Sequence, residues 1–170
     1  MSKLALYPGT FDPITLGHLD VIRRTLSIFD EVVVGIARNM SKSTTFTVAE
    51  RLAMLNGSFE ELELKPLARA ETFIGLTVDF AAQLGAVSIV RGIRVIADFE
   101  AEFQMTLMNR NIRQRIETVF FMPSEQYSYV SSSLIKEIFS LGGDVSNLVT
   151  RCVLRALNDK LRCSVVEGLK

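Results

Sequence analysis

The chain contains few of the residue types that support the commonest catalytic chemistries. Its 170 residues include a single histidine, two cysteines and no tryptophan, and nineteen basic residues balance nineteen acidic ones. One histidine excludes the HExxH zinc motif, and Cys152 and Cys163 lack CxxC spacing, so no metal-ligand cluster is expected and a reducing compartment is indicated. The balanced charge argues against bulk binding to nucleic acid or to an acidic membrane, and any anion recognition must therefore be local.

Long apolar runs and several common motifs are also missing. No uncharged run approaches the roughly 20 residues that cross a bilayer, since Asp79 interrupts the best candidate, Thr72 to Val90. Polar turn residues begin at Pro8 and leave no room for the apolar part of a signal peptide, so we expect a cytoplasmic protein without membrane contact. The absence of GxGxxG, GxxxxGK[ST] and GxSxG excludes the dinucleotide, P-loop and serine-hydrolase signatures.

Apolar runs alternate with amphipathic segments along the chain. Such short aliphatic runs fit strands buried on both faces of a parallel sheet, and the segments between them have helical spacing. The alternation predicts a doubly wound, Rossmann-like α/β fold in a single domain spanning 1–170, on which a C-terminal helical segment at about 145–165 packs. The predicted strands are 4–7, 32–37, 87–90 and 119–122, with a weaker candidate at 62–64, and the predicted helices are about 17–29, 47–60, 74–84, 98–113, 131–141 and 150–162.

The only histidine, His18, lies between the first predicted strand and the first predicted helix, in Thr15-Leu16-Gly17-His18. A glycine beside the first turn of a helix lets a ligand approach the backbone, and the unpaired N–H groups of that turn attract phosphate. In a doubly wound sheet the ligand lies beyond the carboxyl ends of the strands. The loops expected at that edge offer cations, hydroxyls and glycines, which suit phosphate; they are 8–18, 38–43, 91–94 with 97–100, and 123–133.

Together these loops indicate a cationic, hydroxyl-rich site without an obvious covalent nucleophile. Such a site suits transfer of a nucleotidyl or phosphoryl group to an acceptor that is already anionic. A phosphate monoester has its second pKa near about 6, so it needs no general base at neutral pH. The protein then has only to align the acceptor with the α-phosphorus and to stabilise charge on the surrounding oxygens.

Several motifs match one known family at consistent spacing. The TxGH motif that ends at His18 marks only the wider nucleotidyltransferase superfamily, whereas Arg91-Gly92-Ile93-Arg94 followed by Asp98-Phe99-Glu100 is more specific. With these motifs, Tyr7-Pro8-Gly9-Thr10-Phe11-Asp12-Pro13, Ser41-Lys42 and Tyr129-Val130-Ser131-Ser132-Ser133, the chain resembles bacterial phosphopantetheine adenylyltransferase from about residue 3 to 149.

The resemblance implies an enzyme that joins ATP and 4′-phosphopantetheine directly, without a covalent intermediate. The products are dephospho-coenzyme A and pyrophosphate, in the penultimate step of coenzyme A synthesis. The resemblance also implies Mg²⁺ accompanying ATP, coenzyme A as a feedback ligand, and a homohexamer. It does not indicate which residues would bind the metal.

The same resemblance assigns roles to individual residues. Thr10 and His18 contact the phosphates, and His18 does so in the transition state. Lys42 and Arg91 hold the phosphate of the acceptor and the developing charge, and Thr10 and Thr77 also contact the acceptor. The other residues that it places at the ATP site are Phe11, Gly92, Ile93, Arg94, Glu102, Tyr127, Ser128, Tyr129, Val130, Ser131, Ser132 and Ser133.

Three other interpretations remain open. A small nucleotidyltransferase that uses nicotinate mononucleotide or a polyol phosphate would differ around Lys42, Thr77 and Arg91. A fragment of a class I aminoacyl-tRNA synthetase would explain the lysine loop Met40-Ser41-Lys42-Ser43, but that lysine follows the histidine by only 24 residues (18 to 42) and no tRNA-binding domain is evident. A nucleotide sensor would bind ATP without releasing pyrophosphate.

The predicted C-terminal helices carry more apolar residues than a monomer needs to expose. Either these residues cover the chain's own last strand or they form a subunit interface, and the implied hexamer with closed dihedral symmetry favours the interface. The residues are Val145, Leu148, Val149, Val153, Leu154 and Leu157.

Overall fold

The computed structural model describes residues 2–38, 43–94 and 96–162 of the chain. Five parallel strands form one sheet in the order β3-β2-β1-β4-β5. The chain runs outward from β1 to β3 and then returns to place β4 beside β1, which confirms the expected doubly wound fold. The strands are β1 (Leu4–Gly9), β2 (Glu31–Ala37), β3 (Ala68–Phe73), β4 (Ser88–Gly92) and β5 (Glu117–Phe121).

Helices cover both faces of this sheet, because successive strand residues point to opposite sides. Ala5 and Tyr7 belong to the larger apolar cluster, whereas Leu4 and Leu6 belong to the smaller one. The helices are α1 (Leu16–Leu26), α2 (Val48–Glu61), α3 (Thr77–Gln83), α4 (Ile96–Ile112), α5 (Ser132–Ser140) and α6 (Arg151–Leu157), with a 3₁₀ turn at Glu125–Tyr127 and a π-helical turn at Asn158–Arg162.

The weak strand candidate at 62–64 is wrong. Leu62 caps the end of α2, and the N–H of Leu64 donates to the carbonyl of Phe59 at 2.8 Å, so this stretch is the turn that ends the helix. The third strand is β3, a polar segment at the edge of the sheet. Its Arg69 pairs with Glu71 and with Glu31 of β2, since an edge strand can leave charged side chains in solvent. The following helix begins at Thr77 rather than at 74.

The C-terminal segment packs against its own chain. The hydroxyls of Thr150 and Ser58 lie 2.8 Å apart and join the start of α6 to α2. The apolar residues offered above as an interface are mostly inside the core, so that interpretation of this segment is wrong: Val145, Leu148, Val149, Val153 and Leu157 are buried, and Leu154 is half-buried.

A group of exposed apolar side chains lies on α4 instead. From Phe99 to Ile112 only Glu102, Thr106 and Asn109 are half-buried, and every other residue of that stretch is exposed. The exposed large apolar side chains of α4 are Phe99, Phe103, Met105, Leu107, Met108 and Ile112.

No helix of the described chain combines the length and the apolar character that crossing a bilayer requires.

Candidate active site

A cavity of about 450 Å³ opens at the carboxyl ends of β1 and β4, where the strand order reverses. This is the place where doubly wound sheets bind their ligands. The loops after β1, β4 and β5 meet here, as the sequence predicts. Of the residues proposed from the sequence, the cavity is lined by Thr10, Phe11, His18, Arg91, Gly92, Arg94, Glu102, Tyr127, Val130, Ser131, Ser132 and Ser133.

Hydrogen bonds with Thr15 fix the orientation of the His18 imidazole. Thr15 is the N-cap of α1, and its hydroxyl accepts from the His18 N–H at 3.4 Å. In return, Nδ1 of His18 accepts from the backbone N–H of Thr15 at 3.1 Å. This is a capping box with histidine in the place usually taken by glutamate or glutamine. Because Nδ1 accepts a hydrogen bond, the neutral ring carries its proton on Nε2 and can donate it.

The surroundings of His18 favour this neutral ring. Burial disfavours the imidazolium, and the positive charges of Arg94 and Arg91 add to the effect, which lowers the pKa of His18 from 6.5 to about 4. At neutral pH the side chain is therefore an uncharged hydrogen-bond donor, not a cation.

Phe11 packs against the other side of the imidazole. Its ring meets those of His18 and Tyr7 edge to face, at centroid distances of 5.2 and 5.4 Å. The backbone of Phe11 has a φ of 47°, in the left-handed region that only a few non-glycine residues adopt. Gly9 makes room for the ring, since a Cβ there would lie 2.7 Å from it. The turn after β1 therefore has a specific shape that places Phe11 on His18.

Arg91, at the end of β4, is held by α4 and by the β1 loop. Its Nε donates to Oε2 of Glu102 at 2.6 Å, and Nη2 donates to Oε1 of the same carboxylate. Nη1 donates to the carbonyl of Pro8 at 2.8 Å. This two-pronged ion pair fixes the plane of the guanidinium at the cavity wall.

Asp12 joins three separate segments of the chain beside the cavity. Its carboxylate accepts from the N–H groups of Thr45 and Phe46 at 3.0 and 2.8 Å, and from Nζ of Lys136 on α5 at 2.6 Å. Burial opposes ionisation of Asp12, but Lys136 and the two N–H groups outweigh it and lower its pKa below the usual value. On the other side, Nη1 of the buried Arg51 donates to the carbonyl of Thr10 at 2.8 Å.

The start of α5 forms another wall of the cavity. Ser131 is the N-cap and accepts from the N–H of Leu134 at 3.1 Å, while the hydroxyl of Ser132 donates to the carbonyl of Pro13 at 2.7 Å. The first N–H groups of a helix have no partners within it and carry its positive dipole, so this wall suits an anion.

Other proposed residues are not among those that line this cavity. The N–H of Ile93 donates to the carbonyl of Phe121, and the hydroxyl of Ser128 donates to the carbonyl of Glu125. Tyr129 is exposed, and Thr77 begins α3 without lining the cavity. Lys42 lies outside the described residues.

Metal-ligand clusters are absent from the described part of the chain: no three histidine, cysteine, aspartate or glutamate side chains are grouped to hold an ion. Glu102, which lines this cavity, and Asp12, which lines the adjoining one, are each paired with a cation of the protein. These residues do not fit a metal held by the protein alone.

Comparison with known proteins identifies the family. Residues 6–138 match the cytidylyltransferase-like family. The phosphopantetheine adenylyltransferase of Lachnoclostridium phytofermentans is 48% identical over 158 residues, which cover 93% of this chain and 95% of that protein. The enzyme of the same name from Geobacter sulfurreducens is 49% identical over 159 residues, covering 94% and 95%. The chain belongs to the phosphopantetheine adenylyltransferase family.

A solved structure extends the fold beyond the family. A protein from Vibrio parahaemolyticus, assigned as a nicotinate-nucleotide adenylyltransferase, superposes with a TM-score of 0.68 at 20% identity, covering 93% of this chain and 92% of that one. The fold is thus shared outside the phosphopantetheine adenylyltransferase family, so the fold alone does not identify the acceptor substrate.

Proposed function

We propose that this protein transfers the adenylyl group of ATP to 4′-phosphopantetheine, giving dephospho-coenzyme A and pyrophosphate. Its similarity to curated phosphopantetheine adenylyltransferases, near 48% identity over almost the whole chain, carries this proposal. The cavity at the sheet's switch point supports it, because its walls are suited to phosphate. Family membership favours phosphopantetheine over nicotinate mononucleotide or a polyol phosphate as the acceptor.

The reaction is an in-line exchange of one P–O bond for another. An oxygen of the acceptor phosphate attacks the α-phosphorus of ATP, and the bond from that phosphorus to the pyrophosphate oxygen breaks. The acceptor is ionised at neutral pH, so no residue has to remove a proton. The tasks left to the protein are alignment and stabilisation of charge on the phosphoryl oxygens.

His18 serves the transferring group. Its Nε2–H donates to an oxygen of the α-phosphate as negative charge builds up there, while Thr15 keeps Nδ1 occupied. A neutral donor of fixed orientation needs no rearrangement during the reaction.

Arg91 serves the acceptor phosphate and the developing charge. Among the described contacts, Glu102 and Pro8 bind three of its five guanidinium N–H groups. The two other N–H groups are those that we assign to phosphate. Glu102 is then the residue that orients Arg91, and Lys42 is the second cation of the acceptor site.

Mg²⁺ enters this proposal as the companion of ATP, held by the nucleotide phosphates. Mg²⁺ prefers substrate phosphates with one or two carboxylates, and the described carboxylates at the cavity are already paired. The ion would neutralise part of the triphosphate charge.

Three further properties belong to the same proposal: a homohexamer, feedback by coenzyme A, and a cytoplasmic location. The exposed apolar side chains of α4 support association, because so many on one helix are unusual on a monomer. Coenzyme A contains the product dephospho-coenzyme A with one added phosphate, so it would compete for the same cavity.

An acceptor panel tests the proposed function. Purified protein is incubated with ATP, Mg²⁺ and one acceptor at a time, and the adenylylated product and pyrophosphate are measured by mass spectrometry. Phosphopantetheine should react, whereas pantetheine, which lacks the phosphate, and nicotinate mononucleotide should not. Equal reaction with pantetheine would refute the assigned acceptor site, and ATP binding without pyrophosphate release would indicate a nucleotide sensor.

A further inference from the structure

A neutralised ion pair lies next to the cavity and is not explained by binding of either substrate. The side chains of Lys136 and Asp12 are 24% and 7% exposed, and their charges meet at 2.6 Å. Nζ of Lys136 also donates to the hydroxyl of Thr45 at 3.1 Å. Because the ammonium is already paired with a carboxylate and a hydroxyl, it offers little net charge to a phosphate.

The Lys136–Asp12 pair holds the turn after β1, and this turn shapes the site. Asp12 directly follows Phe11, whose left-handed backbone persists only if its surroundings hold it. Lys136 holds this turn through the Asp12 side chain, and Arg51 holds it from the other side through the Thr10 carbonyl at 2.8 Å. Phe11, between these two anchors, contacts the His18 ring.

A second cavity runs along the same pair. Its volume is about 310 Å³, and it shares Thr10, Ser132 and Ser133 with the main cavity. Lys136 and Asp12 form part of its wall, and they join α5 to the β1 loop and to residues 45–46. Loss of this junction would free the turn to move into the open space.

We propose that Lys136 and Asp12 are a positioning pair that holds the Thr10–Phe11 turn against His18 for adenylyl transfer. Neither residue lines the main cavity, and both line the second one. The activity readout rests on the proposed function, whereas the position of the turn is measurable without it.

The experiment compares two substitutions of the lysine with a matched control. Lys136→Met keeps the length of the side chain and removes its charge, and Lys136→Arg keeps the charge. Lys65→Met is the control, because Lys65 makes a similar pair with Glu60 at 2.7 Å on the exposed surface before β3. A misplacement of about 1 Å can cost about 100-fold in rate, so Lys136→Met should lower kcat about 10- to 100-fold.

The division between kcat and KM separates positioning from binding. With Lys136→Met the KM for ATP should stay within about threefold, Lys136→Arg should recover most of kcat, and Lys65→Met should match the parent. A parent-like kcat in folded Lys136→Met would overturn the proposal. Weakened ATP binding with unchanged kcat would do the same, because it would make Lys136 a nucleotide-binding residue.

A double variant tests whether an unpaired carboxylate alone causes the loss. Asp12→Asn combined with Lys136→Met removes both charges, so the thermal midpoint should return toward that of the parent. The kcat should nevertheless remain low, because the link from Lys136 of α5 to the turn is still missing. Recovery of kcat together with stability would refute positioning.

The position of the turn can be followed without turnover. His18 is the only histidine, so its ring signals in a histidine-labelled sample need no assignment. Phe11 lies 5.2 Å from that ring, and its movement would change the shift of the His18 signals. Lys136→Met should move these signals and Lys65→Met should not. Unchanged signals would overturn the inference, whereas an inactive parent with moved signals would count only against the proposed function.

Discussion

The most informative single residue is His18, because the hydrogen bond that its Nδ1 accepts determines which ring nitrogen carries the proton. A histidine in a phosphate site is easily taken for a cation. Here Nδ1 accepts from the Thr15 backbone, and burial together with two arginines disfavours the charged ring. In the proposed reaction His18 is therefore a neutral donor that presents the proton of Nε2 in a fixed direction, and the positive charge comes from the arginines.

This leads to a prediction about pH. The His18 signals of the free, folded protein should titrate with a midpoint near 4, and those of the urea-unfolded chain near 6.5. Below about pH 6.5 the unfolded chain binds a proton that the folded chain does not, so this residue makes stability fall as the pH drops from 6.5 to 4. NMR titration measures the midpoint, and urea unfolding across the range measures the stability.

His18→Gln is the control for that experiment, since glutamine also fits the third helical position of a capping box. The variant should fold and should lose the part of the pH dependence that lies between 4 and 6.5. A midpoint above 6 in the folded parent would contradict the proposed effect of burial and of the two arginines on His18.

The roles of some residues can be predicted from the sequence, and those of others cannot. His18 could be proposed because it is the only histidine and lies between a predicted strand and a predicted helix, and the family resemblance added Thr10 and Arg91. Lys136 could not be, because a lysine in an amphipathic helix is ordinarily a solvated side chain. Its partner Asp12 is 124 positions away, and only the packed chain brings the two together.

At the scale of elements, the apolar strands were predictable from the sequence, including the edge strand β5, and the polar edge strand β3 was not. β1 and β2 are apolar because both of their faces are covered, so their sequences reveal them. β3 reads Ala68-Arg69-Ala70-Glu71-Thr72-Phe73, which resembles a polar loop, and only its pairing with β2 makes it a strand. The nearby stretch 62–64 was mistaken for a strand because Leu62 and Leu64 are apolar, whereas these leucines belong to the turn that ends α2.

The C-terminal helix provides a prediction about stability. Leu157 on α6 is fully buried, so Leu157→Ala should lower the free energy of unfolding by about 2–5 kcal/mol. Leu141→Ala is the control: Leu141 is 82% exposed, and its loss should cost less than about 0.5 kcal/mol. Urea unfolding measures both. A cost below about 1 kcal/mol for Leu157→Ala would mean that α6 is not part of the core.

At the scale of the whole molecule, the apolar residues of the C-terminal segment are mostly buried in their own chain, whereas those of α4 are exposed. We therefore expect subunits to associate through α4. The proposed hexamer predicts a sedimentation mass near six times 19.0 kDa. Replacing Met105 and Met108, which are 58% and 57% exposed, by glutamate should break the assembly, since each buried charge would lack a partner.

Leu141→Glu makes the same chemical change on another exposed surface and should leave the mass unchanged. Sedimentation at micromolar concentration distinguishes these outcomes. If the parent sediments as an active 19.0 kDa species, the hexamer is excluded and the proposed chemistry is not. If Leu141→Glu dissociates the assembly and the α4 variant does not, the interface lies elsewhere.

The central position of β1 has a consequence for how the protein is made. β1 pairs with β2 on one side and with β4 on the other, and β4 begins only at Ser88. During translation one edge of this apolar strand therefore stays unpaired until β4 has been synthesised. An open apolar edge is a template for joining other chains. The nascent chain is most prone to aggregate in that interval, and a chain that ends before β4 would keep this edge exposed and depend most on a chaperone.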